Sequence, residues 1–153
     1  MNRHSFMARS FAFALMSAAS LISTTTLAAE MVVYKGAACQ CCDRWAEALK
    51  ASGIPLRVEN VEDMDIIRAS YGIPDELQSC HTAFAAGYIF EGHVPLEVVQ
   101  KILADRPAIV GVAVPGMPAG SLGMGTDPDA SYDVIALHRD GSQSVFMEVR
   151  PQQ

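Results

Sequence analysis

Four cysteines lie in two short groups of the chain, and cysteine thiolates are both soft-metal ligands and redox nucleophiles. The two groups are Cys39-Gln40-Cys41-Cys42 and Cys80-His81. The first group falls where a predicted buried strand gives way to a predicted amphipathic helix. Unpaired backbone N–H groups and the helix dipole stabilise thiolates at such a position. The pattern therefore predicts a soft-metal site or a redox site.

Residues 1–28 have the pattern of a secretory signal peptide, which bears on the oxidation state of these cysteines. Arg3 and Arg9 supply a positive start, residues 11–22 are mainly apolar, and small residues up to Ala28 resemble a cleavage site. The apolar stretch is shorter than the roughly 18 residues of a membrane span. The sequence predicts export to a bacterial periplasm, with no membrane association after cleavage.

Charge and length narrow the classes of function for the remaining chain. Removal of Arg3 and Arg9 would change the formal net charge from −6 to −8, since all 17 acidic residues follow residue 28. A nucleic-acid partner needs a basic surface, so this balance argues against one. Residues 30–150 are long enough for one domain with its own core, and we predict a single domain there.

The metal interpretation of the cysteines competes with a purely structural one. Four cysteines in an exported protein can form two stabilising disulfides, but a bond between adjacent Cys41 and Cys42 would close a strained ring. Zinc is a candidate metal because three cysteines and a histidine are a standard zinc set. Three cysteines within four residues instead favour thiolates that bridge several ions, and copper(I) accepts thiolate, thioether and imidazole ligands. Ligand chemistry thus favours copper(I), with zinc less favoured.

A redox interpretation rests on the C-x-x-C pair that Cys39 and Cys42 form. Thioredoxin-like oxidoreductases carry their active dithiol at the first strand-to-helix turn, where this pair is predicted to lie. Cys41 would compete as a third nucleophile within that pair. The turn before the third strand, where such enzymes have a cis-proline, here contains Cys80 and His81, which suits a metal site better.

Methionines and histidines supply further candidate ligands. Met117 and Met124 lie in a loop rich in glycine and proline, where no packing pattern requires them, and thioethers bind copper(I) without losing a proton. Among the histidines, His81 is the predicted ligand because it adjoins Cys80. His93 precedes a helix start, which favours a role in the turn, and His138 is interpreted as a strand-end residue.

The hydrophobic pattern indicates which elements position these groups. An apolar run from Met31, a helical pattern over 41–52 and an alternating run over 56–61 predict a β-α-β unit with the cysteines at its first turn. Asp63 is a suitable N-cap for a second helix ending at Tyr71. An apolar stretch over 83–90, interrupted by a glycine, predicts a hairpin.

The C-terminal half completes the predicted architecture. Pro95 opens a third helix that ends at Arg106-Pro107. The predicted fold class is α/β, with a thioredoxin-like β-α-β-α-β-β-α core. An extra strand over 108–114, a Gly/Pro/Met loop over 115–125 and a C-terminal β-hairpin, joined through Asp140-Gly141, follow this core.

Several spaced motifs together resemble the exported CopG-type copper-resistance proteins, a metal-binding family formerly catalogued as a domain of unknown function. The resemblance covers nearly all of the chain after the signal segment. The matching motifs are Tyr34-Lys35-Gly36, Cys39-Gln40-Cys41-Cys42 with Trp45, Ser79-Cys80-His81-Thr82, Gly87-Tyr88, Glu91-Gly92-His93-Val94-Pro95, Val112-Ala113-Val114-Pro115-Gly116-Met117-Pro118 and Gly123-Met124.

The resemblance implies a periplasmic thioredoxin-like domain that binds copper(I) through clustered thiolates and exchanges copper between its two oxidation states. Copper ions and other periplasmic copper-handling proteins are the implied partners. A thiol–disulfide oxidoreductase that uses Cys39 and Cys42 without metal is the alternative, and an exported module held together by disulfides is a third. The implied ligands are Cys39, Cys41, Cys42 and Cys80, with His81 beside them and Met117 and Met124 as outer ligands.

Overall fold

The computed structural model describes residues 30–151. The predicted signal peptide, residues 1–28, lies outside the described residues. The described chain folds into three α-helices and one seven-stranded mixed sheet, which confirms the predicted α/β class. Within this part of the chain, no helix is both long enough and apolar enough to cross a membrane. In chain order the elements are β1 (Met31–Gly36), α1 (Gln40–Ala51), β2 (Leu56–Val61), α2 (Met64–Tyr71), β3 (His81–Ala85), β4 (Tyr88–Glu91), α3 (Leu96–Asp105), β5 (Gly111–Ala113), β6 (Tyr132–Leu137) and β7 (Gln143–Val149).

The strand order of the sheet is β2-β1-β3-β4-β5-β6-β7. Strand β1 runs parallel to β2 and antiparallel to β3, and β4 runs parallel to β5. The antiparallel register pairs Lys35, near the end of β1, with His81, the first residue of β3. The chain that leaves β1 and the chain that enters β3 therefore meet at one end of the sheet, and this meeting brings the two cysteine groups together.

Helices α1 and α3 form the main core with one face of the sheet. Trp45 and Leu49 of α1 and Val99 and Ile102 of α3 are fully buried, and they pack in one cluster with Phe90 of β4. Full burial of each large apolar side chain contributes roughly 1.5–3 kcal/mol. This packing fixes the direction of α1 and hence the place of its N-terminal turn.

Helix α2 has the predicted N-cap and is less buried than the other two helices. The Asp63 side chain accepts a hydrogen bond from the Asp65 N–H at 2.8 Å, and left-handed Gly72 ends the helix. No residue of α2 is buried, although the Tyr71 ring lies 3.7 Å from the Phe84 ring between centroids. Phe84 alternates along β3 with core residues, so α2 covers the opposite face of the sheet.

Two element boundaries differ from the sequence prediction. Pro95 is the N-cap of α3 in an extended conformation, with φ −57° and ψ 146°, and is not its first helical residue. The extra strand predicted over 108–114 is β5, and it pairs only over Gly111–Ala113. Sequence pattern marks where an apolar segment lies but not how many of its residues find a partner strand, so β5 is shorter than predicted.

Candidate metal centre

The first turn of α1 presents three of the cysteines. Cys39 is the N-cap, and its N–H donates to the Gly36 carbonyl at 3.0 Å, which closes a tight turn after β1. The sulfurs of Cys39 and Cys42 are joined in a disulfide, with Cα atoms 5.4 Å apart. Cys41 is a free, half-buried thiol between them. This C-x-x-C disulfide is the feature on which the redox interpretation depends.

Cys80 brings the fourth sulfur from the turn that enters β3. Its sulfur lies 3.9 Å from the Cys41 sulfur, and the Cys41 sulfur lies 3.5 Å from the Cys39 sulfur. The Cys42 sulfur is 3.6 Å from the Cys80 carbonyl oxygen. All four sulfurs lie within 4.8 Å of one another, a spacing that a metal ion could bridge. The structure thus brings together the four cysteines predicted as ligands.

Two histidines form a second group with Cys80. The Cys80 sulfur lies 2.9 Å from Nε2 of His93 and 3.7 Å from Nδ1 of His81, and both imidazoles are fully buried. The ligand atoms of these three residues also lie within 4.8 Å of one another. Cys80 therefore belongs to both groups, with sulfur ligands on one side and nitrogen ligands on the other.

His93 is the site residue that sequence reasoning missed, since a turn role was predicted for it. The hairpin of β3 and β4 explains its position. The register pairs Ala85 with Tyr88 and Thr82 with Glu91, and its continuation places His93 across from Cys80. The glycine-interrupted apolar stretch already indicated this hairpin. Counting its register outward from Gly87 would have found His93.

The hydrogen bond of His93 fixes its tautomer. Its Nδ1 lies 2.7 Å from the Leu122 carbonyl oxygen, which can only accept, so Nδ1 carries the proton. Burial lowers the pKa of His93, and the nearby Arg44 charge lowers it further. The hydrogen bond to Leu122 acts in the opposite direction and raises this pKa. The neutral ring then presents an Nε2 lone pair to the Cys80 sulfur. A carbonyl that orients a histidine in this way is typical of metal sites.

His81 has an unsatisfied nitrogen inside the protein. Burial lowers the pKa of His81 to about 3, with smaller contributions from the neighbouring His93 and Lys35, so the ring is neutral. Its Nε2 is buried and has no hydrogen-bond partner among residues 30–151. The ring packs on Trp45, with centroids 4.4 Å apart. A buried polar atom without a partner is costly. The nitrogen of His81 that faces the Cys80 sulfur is the other one, Nδ1, and it is the one that an ion bound to that sulfur would meet.

The thiol of Cys80 is protonated when no metal is bound. Burial, and next the charge of the neighbouring Cys41, raise the pKa of Cys80 to about 12. A positive ion would have to displace this proton in order to bind the sulfur. Thiolate sulfur and neutral imidazole nitrogen are the ligands that copper and zinc prefer, so the donor set fits a thiophilic metal.

A buried ion pair fixes the backbone around Cys80. Glu91 is fully buried, and its carboxylate accepts from the Ser79 N–H at 2.7 Å and from the Thr82 hydroxyl at 2.5 Å. Arg68 donates to the Ser79 carbonyl, and its Nε lies 3.6 Å from the same carboxylate. Residues on both sides of Cys80 and His81 are therefore anchored to one buried carboxylate.

The Gly/Pro/Met loop is fastened over α1 beside the cysteines. Arg44 Nε donates to the Gly123 carbonyl at 2.8 Å. The preceding carbonyl, that of Leu122, accepts the hydrogen bond from His93 Nδ1. Gly123 has a positive φ of +90°, and a Cβ there would lie 2.7 Å from the Cys41 carbonyl oxygen and 2.9 Å from the Trp45 nitrogen. Only glycine allows this approach. The loop is thus packed directly on the turn that carries the cysteines.

The two predicted methionine ligands occupy different places in this loop. Met117 is 56% exposed and lines a shallow pocket of about 300 Å³ with Cys80, Ser79 and Arg68. Met124 is half-buried and directly follows Gly123. Met117 therefore lies at the solvent side of Cys80, while Met124 follows the glycine that packs on α1. A ligand role for either thioether stays a prediction.

Comparison with known proteins identifies the family. A family model described as "Protein of unknown function, DUF411" matches residues 77–124, which include Cys80, His93 and both loop methionines. No curated protein matches the chain. Two solved structures of copper resistance protein CopG, form 1 and form 2, share 36% sequence identity with it.

The similarity to these structures extends over the whole fold. The form 1 match covers 82% of this chain and 100% of that chain, with a TM-score of 0.75. The form 2 match covers 80% and 99%, with the same TM-score. Both matches cover most of this chain and all or nearly all of the CopG chain. The chain belongs to the family of copper resistance protein CopG.

Proposed function

We propose that this chain is an exported copper-handling protein that binds copper(I) in a cluster of cysteine thiolates and serves copper resistance or homeostasis. The observation that carries the proposal is the convergence of four cysteine sulfurs within 4.8 Å of one another. Membership of the CopG family supports copper as the metal. Thiolate sulfur prefers soft monovalent ions, which supports copper(I) over copper(II).

Each donor group has a proposed role in the cluster. Cys41 and Cys80 are free thiols, and reduction of the Cys39–Cys42 disulfide would release the other two sulfurs. His81 and His93 offer neutral nitrogens beside Cys80. Met117 and Met124 are proposed as outer ligands, with Met117 at the solvent side. Three cysteines and a histidine also suit zinc, so zinc is the competing metal to test.

The fold type and the location are part of the same proposal. We infer a thioredoxin-like core, which the adjacent strands β2-β1-β3-β4 and the C-x-x-C motif after β1 support. The signal-peptide pattern of residues 1–28 supports a periplasmic location. Other periplasmic copper-handling proteins would be the partners that deliver or receive the ion.

The disulfide supports a redox role toward copper. In the reduced protein, Cys39 and Cys42 could each give one electron to a copper(II) ion. Two copper(II) ions and the dithiol would then yield two copper(I) ions, the disulfide and two protons. The free thiols of Cys41 and Cys80, with the adjacent imidazoles, would remain to hold a copper(I) ion.

A thiol–disulfide oxidoreductase without metal is the second candidate. The disulfide at the N-terminus of α1 favours it, because this is where such enzymes keep their dithiol. Cys41 lies 3.5 Å from the Cys39 sulfur and would compete in every exchange. A protein merely held together by disulfides is less favoured, since Cys41 and Cys80 are free.

Copper titration of the reduced protein separates these candidates. We expect ultraviolet thiolate-to-copper absorption, at least one copper(I) per chain retained against a chromophoric chelator, and weaker retention of zinc. Replacement of the shared ligand, Cys80→Ser, should lower copper(I) affinity at least about 100-fold, since it removes a ligand of both groups. A protein that reduces insulin disulfides and ignores copper(I) would instead be an oxidoreductase.

A further inference from the structure

Lys35 occupies a core position where the strand pattern calls for an apolar side chain. The buried residues of β1 alternate as Met31, Val33 and Lys35, and the Lys35 side chain is only 4% exposed. Removal of an ammonium group from water is costly unless nearby groups compensate it. A charge retained at this place points to a role beyond packing.

The Lys35 ammonium lies between the end of β1 and the first turn of α1. Its Nζ is 2.9 Å from Asp43 Oδ1, 3.3 Å from the Gly36 carbonyl and 3.5 Å from the Ala37 carbonyl. Asp43 directly follows Cys42 in that first turn. The backbone of Lys35 also pairs with His81, the residue after Cys80. The ammonium therefore contacts the segment that carries three of the sulfurs, and the strand that bears it pairs with the segment that carries the fourth.

The two charges of this ion pair are screened unequally by water. The Asp43 side chain is 48% exposed, whereas the Lys35 side chain is almost completely buried. Water weakens the field of an exposed charge more than that of a buried one, so the pair leaves a net positive potential on the inner side. A copper(I) ion held by two or more thiolates is net negative and would be stabilised there.

We propose that Lys35 is a positioning residue that supplies the counter-charge of the copper(I)–thiolate cluster, while Asp43 moderates it. This inference rests on the proposed function, because it assumes that the reduced cysteines bind copper(I). It assigns a task to the Lys35 ammonium, which is more deeply buried than Arg68, another cation near Cys80 among the described residues. The fixed charges of two side chains, and not the detailed shape of the site, then set part of the copper affinity.

Two variants that break the same ion pair provide the test, because charge and structure predict different results for them. We expect Lys35→Met to weaken copper(I) binding on the order of tenfold, since Asp43 would be left uncompensated beside Cys42. Asp43→Asn should strengthen binding several-fold, since it leaves the cation unopposed. Lys35→Arg keeps the charge and should bind within about twofold of the wild type. Lys50→Met removes an exposed cation at the far end of α1 and is the matched control, with no expected change.

Affinities are measured by chelator competition on the reduced full chain, with unfolding midpoints recorded for each variant. Opposite shifts for Lys35→Met and Asp43→Asn support the counter-charge role. Equal losses in both variants would overturn it, because they would show that the ion pair only holds the turn in place. If the wild type itself retains no copper(I), the proposed function fails instead. The two failures are therefore distinct.

Discussion

At the scale of single residues, Cys80 links the two halves of the candidate centre. Its sulfur is 3.9 Å from the Cys41 sulfur and 2.9 Å from His93 Nε2. The cysteines could be predicted because clustered cysteines are rare and have few interpretations. His93 could not be predicted from its type, because a histidine before a helix start usually has a role in the turn. Its role as a candidate ligand follows only from the hairpin register, which places it across from Cys80.

Replacement of His93 tests whether this environment matters for metal binding. We expect His93→Gln to lower copper(I) affinity by about 10- to 100-fold, since the variant removes a neutral nitrogen that Leu122 orients toward Cys80. Chelator competition measures the change. His138→Gln is the control, because His138 directly follows β6 and bonds to Ser144. Equal affinities for the two variants would show that His93 only fills space.

At the scale of elements, a hairpin, a helix turn and a loop hold the centre. The hairpin and the helix follow from apolar periodicity, which the sequence shows directly. The path of residues 115–125 could not be predicted, because glycine and proline mark an irregular segment without giving its direction. Tertiary contacts determine that path, above all the hydrogen bonds of Arg44 and His93 to the consecutive carbonyls of Gly123 and Leu122.

The close approach of this loop to α1 gives a stability prediction. We expect Gly123→Ala to lower the free energy of unfolding by about 2 kcal/mol or more, since its Cβ would collide with backbone atoms of Cys41 and Trp45. Gly125→Ala has a similar φ of +91° but meets nothing within 4 Å, so it isolates the cost of the backbone conformation. Urea denaturation compares the two variants. Equal losses would contradict the packing described here.

The carboxylate that anchors the Cys80 turn gives a second prediction at this scale. We expect Glu91→Gln to cost about 2–3 kcal/mol, because the variant leaves Arg68 with only the exposed Asp65 as a charge partner and weakens the bonds to Ser79 and Thr82. Copper(I) affinity should fall as well, since the turn loses its support. Glu97→Gln, which replaces an exposed carboxylate in the first turn of α3, should cost less than about 1 kcal/mol and leave the affinity unchanged. A stable Glu91→Gln protein with unchanged affinity would refute the anchoring role.

At the scale of the whole molecule, the sequence indicated an α/β domain because strand and helix periods alternate along the chain. How these strands and helices pack against one another could be predicted less well from the sequence. β5 pairs over three residues only, and α2 covers the outer face of the sheet without burying any residue completely. Both outcomes depend on partners distant in sequence, which local periodicity does not contain.

The buried imidazoles predict how the metal-free protein responds to acid. His81 has a folded-state pKa of about 3 against about 6.5 when unfolded, so below pH 6.5 the unfolded chain takes up a proton that the folded chain does not. The free energy of unfolding should therefore fall as pH falls through this window, by about 1.4 kcal/mol per pH unit for this residue.

Comparison with a variant isolates this contribution from those of other titrating groups. His81→Phe keeps a ring against Trp45 and cannot be protonated, so its stability curve should be flatter than that of the wild type between pH 6 and 4. Urea denaturation at several pH values, with chelator present, measures the difference in slope. Parallel curves would mean that His81 is not held neutral by burial.

The bond between Cys39 and Cys42 makes oxidation and metal loading rivals for the same pair of atoms. A cuprous ion bound to those two sulfurs would protect them from disulfide formation. The disulfide, in turn, makes two of the four cysteine sulfurs unable to bind copper as thiolates. Protein purified in air should consequently contain a fraction that cannot be filled until a reductant is added. The order in which reductant and copper reach the molecule would then determine how much metal it carries.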